Sequence, residues 1–326
     1  MEKKKEILAC ANSIIKKDKA AWLKKNKDQF EILGMSLPGA ILMFMFCYMP
    51  IFGIVLAFKE FNPIDGIWGS PWSGLSNFSF LFKSNDFVNV LRNTIGYNLV
   101  FIIVGSLLNV TLALMVSMLR QKQMSRLYQT VYIMPYFLSW VIISYLVLAF
   151  LNMDKGFLNS RILPMLGLKP VNWYTNPKPW PFILTFVNFW RWTGNAAVIY
   201  IAALSSISPE YYEAADIDGA TGWQKIWHIT LPSLRTIFCI NLITQVGGIL
   251  GGDMGLFYQV PLDSGALADV TTTIPVHVFK NLTAGTSSGL SISSAMAFIQ
   301  SVVGGILVIC VNKIVDKISD GESSLF

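Results

Sequence analysis

Few side chains in this sequence are placed to do covalent chemistry. The two histidines, His228 and His277, stand far apart and form no HExxH pair, so neither a catalytic nor a metal site is built from them. No Gly-x-x-x-x-Gly-Lys-Ser/Thr phosphate loop occurs, which excludes the usual nucleotide cradle. Cys10, Cys47, Cys239 and Cys310 lack CxxC spacing, and three of them fall in apolar segments, so they read as small buried hydrophobes. A single acid, Asp253, lies within an apolar run, thin support for a proton relay. What remains is chemistry of recognition, concentrated in the polar stretch Pro209 to Pro232, PEYYEAADIDGATGWQKIWHITLP. Helix formers (Glu213, Ala214, Ala215), a breaker (Gly219), a second amphipathic run and Pro232 predict short helices on a membrane surface.

The elements that must hold this stretch are apolar. The chain has 326 residues, of which 53% are hydrophobic and only 13% charged, outside the range of soluble domains. A hydrocarbon core of roughly 30 Å takes about 20 apolar residues. Six stretches qualify: Met35 to Phe58, Ile95 to Leu119, Gln129 to Leu151, Pro181 to Leu204, Leu234 to Tyr258 and Ile292 to Asn312. The first run is long enough to be a full span and not a cleaved leader. The net charge of +6 forms no stripe suited to nucleic acid. Sixteen Lys and Arg residues fall in the termini and alternate connections, against eight in the others. The positive-inside rule then puts both termini and the Glu213 loop in the cytoplasm. Residues 1–34 form a Lys-rich arm facing solvent or membrane lipid, 35–58 an extra first span, and 318–326 a tail. Trp68, Trp72, Trp173, Tyr174 and Trp180 suit the opposite headgroup level.

The Glu213 loop resembles the EAA signature of the inner-membrane permeases of ATP-binding-cassette importers. Glu213, Ala214, Ala215, Asp218, Gly219, Ala220, Ile229, Leu231 and Pro232 match its pattern in register, and Ile226 stands where the family has Phe. Looser markers extend the resemblance over residues 89–317: Arg92, Asn93 and Thr94, then Met134 with Pro135, then Gly156 and Asn159. It implies an all-α membrane protein of type I importer fold, with the coupling loop at residues 205–233, in the maltose-type oligosaccharide branch. It also implies that the loop docks as a coupling helix on an ATPase subunit. On physical grounds Glu213, in a first helical turn, suits a partner cation. Ala214 and Ala215 leave room, Gly219 permits the turn, Trp223, Ile226 and Ile229 make an apolar face, and Pro232 stops the helix.

For the cargo, the fourth span carries Asn188, Trp190, Arg191, Trp192 and Asn195, with Asn188, Arg191 and Asn195 on one face. Sugar-importing relatives place ligand contacts on this span. Amides bond hydroxyls and an indole covers the C–H face of a sugar ring, yet intramembrane polar groups also join helices. On the fifth span Asn241, Gln245, Gly248 and Gly252 recur on one face, followed by Asp253; Gly247/Gly251 and Gly248/Gly252 equally suit helix packing. Asn98, Gly105 and Asn109 on the second span read as interhelical bonding.

The expectation is thus a multi-pass permease of a bacterial cytoplasmic membrane, itself not an enzyme, that passes a carbohydrate, neutral or acidic. Its expected partners are a second permease chain of different sequence, two ATPase subunits carrying ATP and Mg, and an extracytoplasmic sugar-binding protein. No cofactor or metal is expected on this chain. The alternatives are import of peptides or anions by the same architecture, for which Arg191 would suit an anion, or an ion-driven transporter.

Overall fold

The computed structural model describes residues 27–83, 85–119 and 121–319. Most of the expected Lys-rich arm, Cys10 and residues 320–326 of the tail lie outside them. The described residues are helical, with no strand and one isolated antiparallel bridge, Lys59 to Trp72. The chain divides into two units at Val55/Leu56.

In the first unit α1 (Lys27–Met43) runs on through a π turn, Phe44–Tyr48, into a tighter 3-10 stretch that starts at Met49. Phe44 and Tyr48 stack at 6.1 Å. Pro50 lacks the N–H that would complete an α-helical ladder, and the change of winding around it accommodates that loss. The side chains from Ile32 to Phe52 stay largely exposed, as expected of a surface that meets lipid or another chain.

The second unit is built on α2 (Asn85–Ser117) and α5 (Trp180–Ser205), which share the longest interface in the molecule. They meet at ordinary van der Waals distance: a Cβ on Gly105 would sit 3.5 Å from Phe189. Between these helices run α3 (Lys122–Ile133), a 3-10 turn at Met134–Phe137 and α4 (Trp140–Leu151). The third span, expected as one run from Gln129 to Leu151, is bent by 97°. Pro135 opens the 3-10 turn, Leu138 is extended, and the Ser139 hydroxyl accepts the N–H of Ile142 to start a fresh helix.

After α5 come α6 (Pro209–Ile217) and α7 (Leu231–Gly247), then α8 (Ile274–Thr283) and α9 (Ser287–Ser319). The fifth span, expected to reach Tyr258, ends as a helix at Gly247; a separate π turn covers Gly255–Gln259. Hydropathy continues past that point, but Gly247, Gly248, Gly251 and Gly252 disfavour a helix there, and α9 packs close against its end. A Cβ on Gly247 would lie 2.3 Å from Val308, and one on Gly304 2.6 Å from the Gly247 carbonyl. Packing, not ligand access, accounts for Gly247.

Among the described residues, four helices are long and apolar enough to cross a membrane, Glu31–Phe58, Asp86–Ser117, Gly222–Gly247 and Ser288–Lys317; the bent pair makes a fifth if taken as one span. The remaining expected span, the fourth, is α5; it has 26 residues, about 39 Å at 1.5 Å each, but Asn188, Arg191 and Asn195 take it outside the apolar set.

Three buried clusters hold the second unit. One joins Ile143 and Val147 of α4 to Trp180 and Leu184 of α5 and to Leu256, Phe257 and Val276. Another sets Leu81, Phe87 and Val90 against Ala295 and Met296 of α9, and the third joins Ala113, Tyr200, Leu204 and Leu234. In lipid such contacts act by close packing and not by expulsion of water. Outside the spans, burial pushes the Tyr174 hydroxyl up to about 12 and lowers His277 on α8.

Candidate functional site

The segment after α5 folds as a helical elbow. The Ser208 hydroxyl accepts the Glu210 N–H and Pro209 occupies the first turn of α6, two ordinary helix-start devices. Gly219 ends it at φ +74°, with Gly219 N–H donating to the Asp216 carbonyl at 3.1 Å and Ala220 N–H to Ala215 at 2.9 Å. This pair of bonds needs a left-handed residue, so glycine is favoured there for backbone reasons alone. Thr221 then caps the next turn reciprocally with Gln224, a capping box that the sequence displays as Thr-x-x-Gln and that the reading of the loop missed. Lys225 pairs with Asp216 across the elbow, and the Tyr212 and Thr230 hydroxyls meet at 3.0 Å.

Three expectations for this segment are corrected. Glu213 lies in the second turn of α6, and the first-turn acid is Glu210. Pro232 does not stop a helix: the chain is helical from Gly222 to Gly247, and a π turn at Ile226–Thr230 takes up the N–H that Pro232 lacks. Trp223, Ile226 and Ile229 do not share a face. Trp223 is exposed and meets Trp227 edge-on at 5.7 Å, whereas Ile226 is half-buried in a cavity with Leu114, Leu204 and Tyr212. The outward surface includes Glu213, Ala214, Ile217, Asp218, Trp223 and Trp227, with Tyr211 beside them. Ala215 and Ala220 are half-buried, and Glu213 has no hydrogen-bonding partner among the described residues.

A second feature lies between α2, α5 and α7. A cavity of about 380 Å³ is lined by Asn98, Asn109, Asn188, Asn195, Asn241 and Gln245, with Trp192, Tyr200 and Asp253 among the other walls. Five residues expected on the path are brought together there: Asn188, Asn195, Asn241, Gln245 and Asp253. The side-chain amides of Asn188, Asn195 and Gln245 make no hydrogen bond among the described residues, and the Tyr200 hydroxyl is buried without a partner. Amides both donate and accept, so the wall suits a ligand rich in hydroxyl or carboxylate oxygen.

Four expected residues are elsewhere. Gly248 and Gly252 follow the end of α7 and share no helical face with Asn241 and Gln245. Trp190 points away, into an apolar groove with Leu146, Phe150, Phe182 and Phe186. Arg191 lies behind the cavity wall. Its guanidinium stacks 4.1 Å from the Trp140 ring, approaches the Leu138 carbonyl at 3.4 Å and meets the Asp253 carboxylate at 3.4 Å. The same carboxylate oxygen accepts Trp140 Nε1 at 2.7 Å, and the other accepts the Gly255 N–H at 2.9 Å. Trp192, which the path assignment passed over, was findable: it follows Asn188 by one helical turn, while Trp190 falls on the far side.

The model of the family described as binding-protein-dependent transport system inner membrane component matches residues 102–318, most of the second unit. The chain belongs to that family. As an inner-membrane component with several apolar helices, this permease is a multi-pass protein of the bacterial cytoplasmic membrane. Among curated relatives, the polygalacturonan/rhamnogalacturonan transport system permease protein YteP of Bacillus subtilis (strain 168) is 32% identical over 315 residues, covering 96% of each chain. Protein LplB of the same organism is 32% identical over 306 residues, covering 91% of each. Among solved structures, a chain of a bacterial ABC transporter involved in the import of the acidic polysaccharide alginate matches with TM-score 0.80 and 29% identity. That match covers 90% of this permease and 98% of that chain. An alginate ABC transporter in complex with an alginate pentasaccharide-bound periplasmic protein matches with TM-score 0.81 and 27% identity, over 93% and 99%. The fold is therefore that of a type I ABC importer permease.

Proposed function

We infer that this chain is one of two permease subunits of an ATP-driven importer of acidic oligosaccharides. The observation that carries the reading is the amide-walled cavity between α2, α5 and α7, whose free Asn188, Asn195 and Gln245 suit the oxygen-rich surface of a sugar. The named cargoes of relatives, polygalacturonan and alginate, supply the acidic class. An anion reading founded on Arg191 loses its support, because that cation already faces Asp253.

In this reading the six helical segments cross the membrane, with α5 and the bent α3–α4 pair each counted once, and both termini are cytoplasmic. Residues 35–58 are the extra span, 89–317 the core and 205–233 the coupling loop. Glu213 and the exposed residues around it meet an ATPase subunit that binds ATP and Mg; this chain hydrolyses nothing and holds no cofactor. One coupling loop per chain calls for a second permease, of different sequence, beside two ATPases and a sugar-loaded binding protein. ATP-driven closure of the ATPases then shifts the pair between inward-open and outward-open forms, by differential affinity for the two states.

The test is uptake by the reconstituted assembly. Oligogalacturonates should enter in an ATP-dependent manner, and Glu213→Ala should lower ATPase recovery or transport while membrane insertion is unchanged. Uptake of peptides or inorganic anions only would overturn the carbohydrate assignment, and a gently extracted complex without an ATPase would overturn the coupling role.

A further inference from the structure

The cavity wall carries one formal charge, the Asp253 carboxylate, and the charge that balances it is hidden. Asp253 lines the cavity and keeps 28% of its side chain exposed, whereas Arg191 keeps 13% and is absent from the lining. Arg191 is fixed from three sides, by the Trp140 ring, the Leu138 carbonyl and the Asp253 carboxylate, so it does not swing into the cavity. Every other polar side-chain group on the lining is an amide, a hydroxyl or the Trp192 indole N–H.

We propose that the Arg191–Asp253 pair sets the charge selectivity of the passage: Arg191 cancels a carboxylate that would otherwise repel an anionic sugar, and leaves an uncharged, amide-lined wall. The proposal rests on the carbohydrate reading above and adds to it the residue pair that decides how anionic and neutral sugars are weighed. The physical reason is twofold. A bare carboxylate in a partly desolvated cavity opposes uronate groups by Coulomb repulsion that water screens poorly. A free guanidinium at the same place would attract a carboxylate by charge-assisted, often bidentate bonds and so favour anionic over neutral sugars. A neutral wall of amides avoids both, and passage requires binding weak enough to let go.

Opposite charge changes at the two partners provide the test, in the full assembly with its binding protein. The readout is the ratio of initial uptake rates for an oligogalacturonate and for the neutral oligomer of equal length made by reducing its carboxyl groups. Arg191→Gln, which leaves Asp253 bare, should lower the acidic-to-neutral ratio by about threefold to tenfold. Asp253→Asn, which leaves Arg191 uncompensated behind the wall, should raise the ratio by a similar factor. The double variant Arg191→Gln/Asp253→Asn should return it close to the wild-type value even where its absolute rate is lower. A merely structural pair would reduce both substrates in parallel and leave the ratio unmoved in every variant, and that result overturns the proposal. Failure of the wild-type assembly to carry either sugar would overturn the carbohydrate reading instead.

Discussion

The side-chain amide of Asn98, on α2, donates to the carbonyls of Ile249 at 2.9 Å and Gly251 at 3.0 Å, just where α7 has ended as a helix. One residue therefore supplies the bonds that a continued helix would have supplied, and the chain is free to turn toward Asp253. Removing a partner from buried carbonyls costs about 1–3 kcal/mol each. Asn98→Ala is expected to lower the thermal midpoint of the purified protein in detergent and to lose uptake with it. A midpoint equal to wild type would mean that the α7 terminus holds without this bond.

Gly194 is the point where α5 touches the backbone of the third span, since a Cβ there would fall 1.8 Å from the Tyr132 carbonyl oxygen. Backbone cannot move aside as a flexible side chain does, so Gly194→Ala must separate α5 from α3. Overpacking of this kind costs about 1–3 kcal/mol or more. Loss of monodisperse protein, or a clear fall in melting temperature, is expected; by contrast Gly53→Ala, with open space around the added carbon, should behave as wild type.

How much of this could be seen beforehand depended on whether a feature was local. Apolar runs marked most of the long apolar helices, and the register of Glu213, Gly219 and Pro232 marked the segment proposed to couple. The turn at Gly219 was legible because backbone sign alone selects glycine. The 97° bend was not, since Pro135 is tolerated within membrane helices and only the Ser139 cap and the Arg191 contact to Leu138 make the break definite. The end of α7 showed only in part: Gly247, Gly248, Gly251 and Gly252 disfavour a helix, whereas the close approach of Gly304 and Val308 from far along the chain follows no local pattern. In the cavity, Asn188, Asn195, Asn241 and Gln245 stood out as polar residues in apolar surroundings. The neutralisation of Arg191 by Asp253, 62 residues later, follows no sequence period at all.

Ile217 tests the docking surface without touching the fold. Its side chain is 88% exposed at the end of α6, one turn beyond Glu213. Full burial of such a side chain in an interface is worth about 1.5–3 kcal/mol. Ile217→Ser should leave the melting temperature unchanged and reduce the ATPase retained during purification by roughly tenfold. Full retention would place the contact elsewhere.

His277 gives the protein a pH dependence of known sign. Burial lowers its pKa, Asp86 acts to raise it and Lys280 to lower it further. The folded state therefore binds this proton less readily than the unfolded chain, whose value is about 6.5. Stability from the neutral ring is complete above that pH and falls as the pH drops from about 6.5 toward the depressed folded value. Melting measured across this window should decline on acidification for wild type, and the decline should flatten in His277→Gln. An unchanged slope in the variant would assign the dependence to other groups.

Trp190 and Trp192 are two residues apart on one helix and face different surroundings. Trp192 lines the amide-walled cavity, with its ring 5.3 Å from Tyr136, whereas Trp190 is 37% exposed over the apolar groove beside Phe182 and Phe186. An indole face covering a sugar ring contributes on the order of 1 kcal/mol, close to a tenfold change in affinity. Trp192→Ala is therefore expected to raise the KM for oligosaccharide uptake by about threefold to tenfold, with part of the effect recovered in Trp192→Phe. Trp190→Ala should leave KM unaltered, because a shorter side chain in that groove exchanges aromatic for lipid contact without touching the cavity. A KM that responds to Trp190 and not to Trp192 would put the sugar on the other side of α5, and the amide-lined cavity would then be an internal polar packing site.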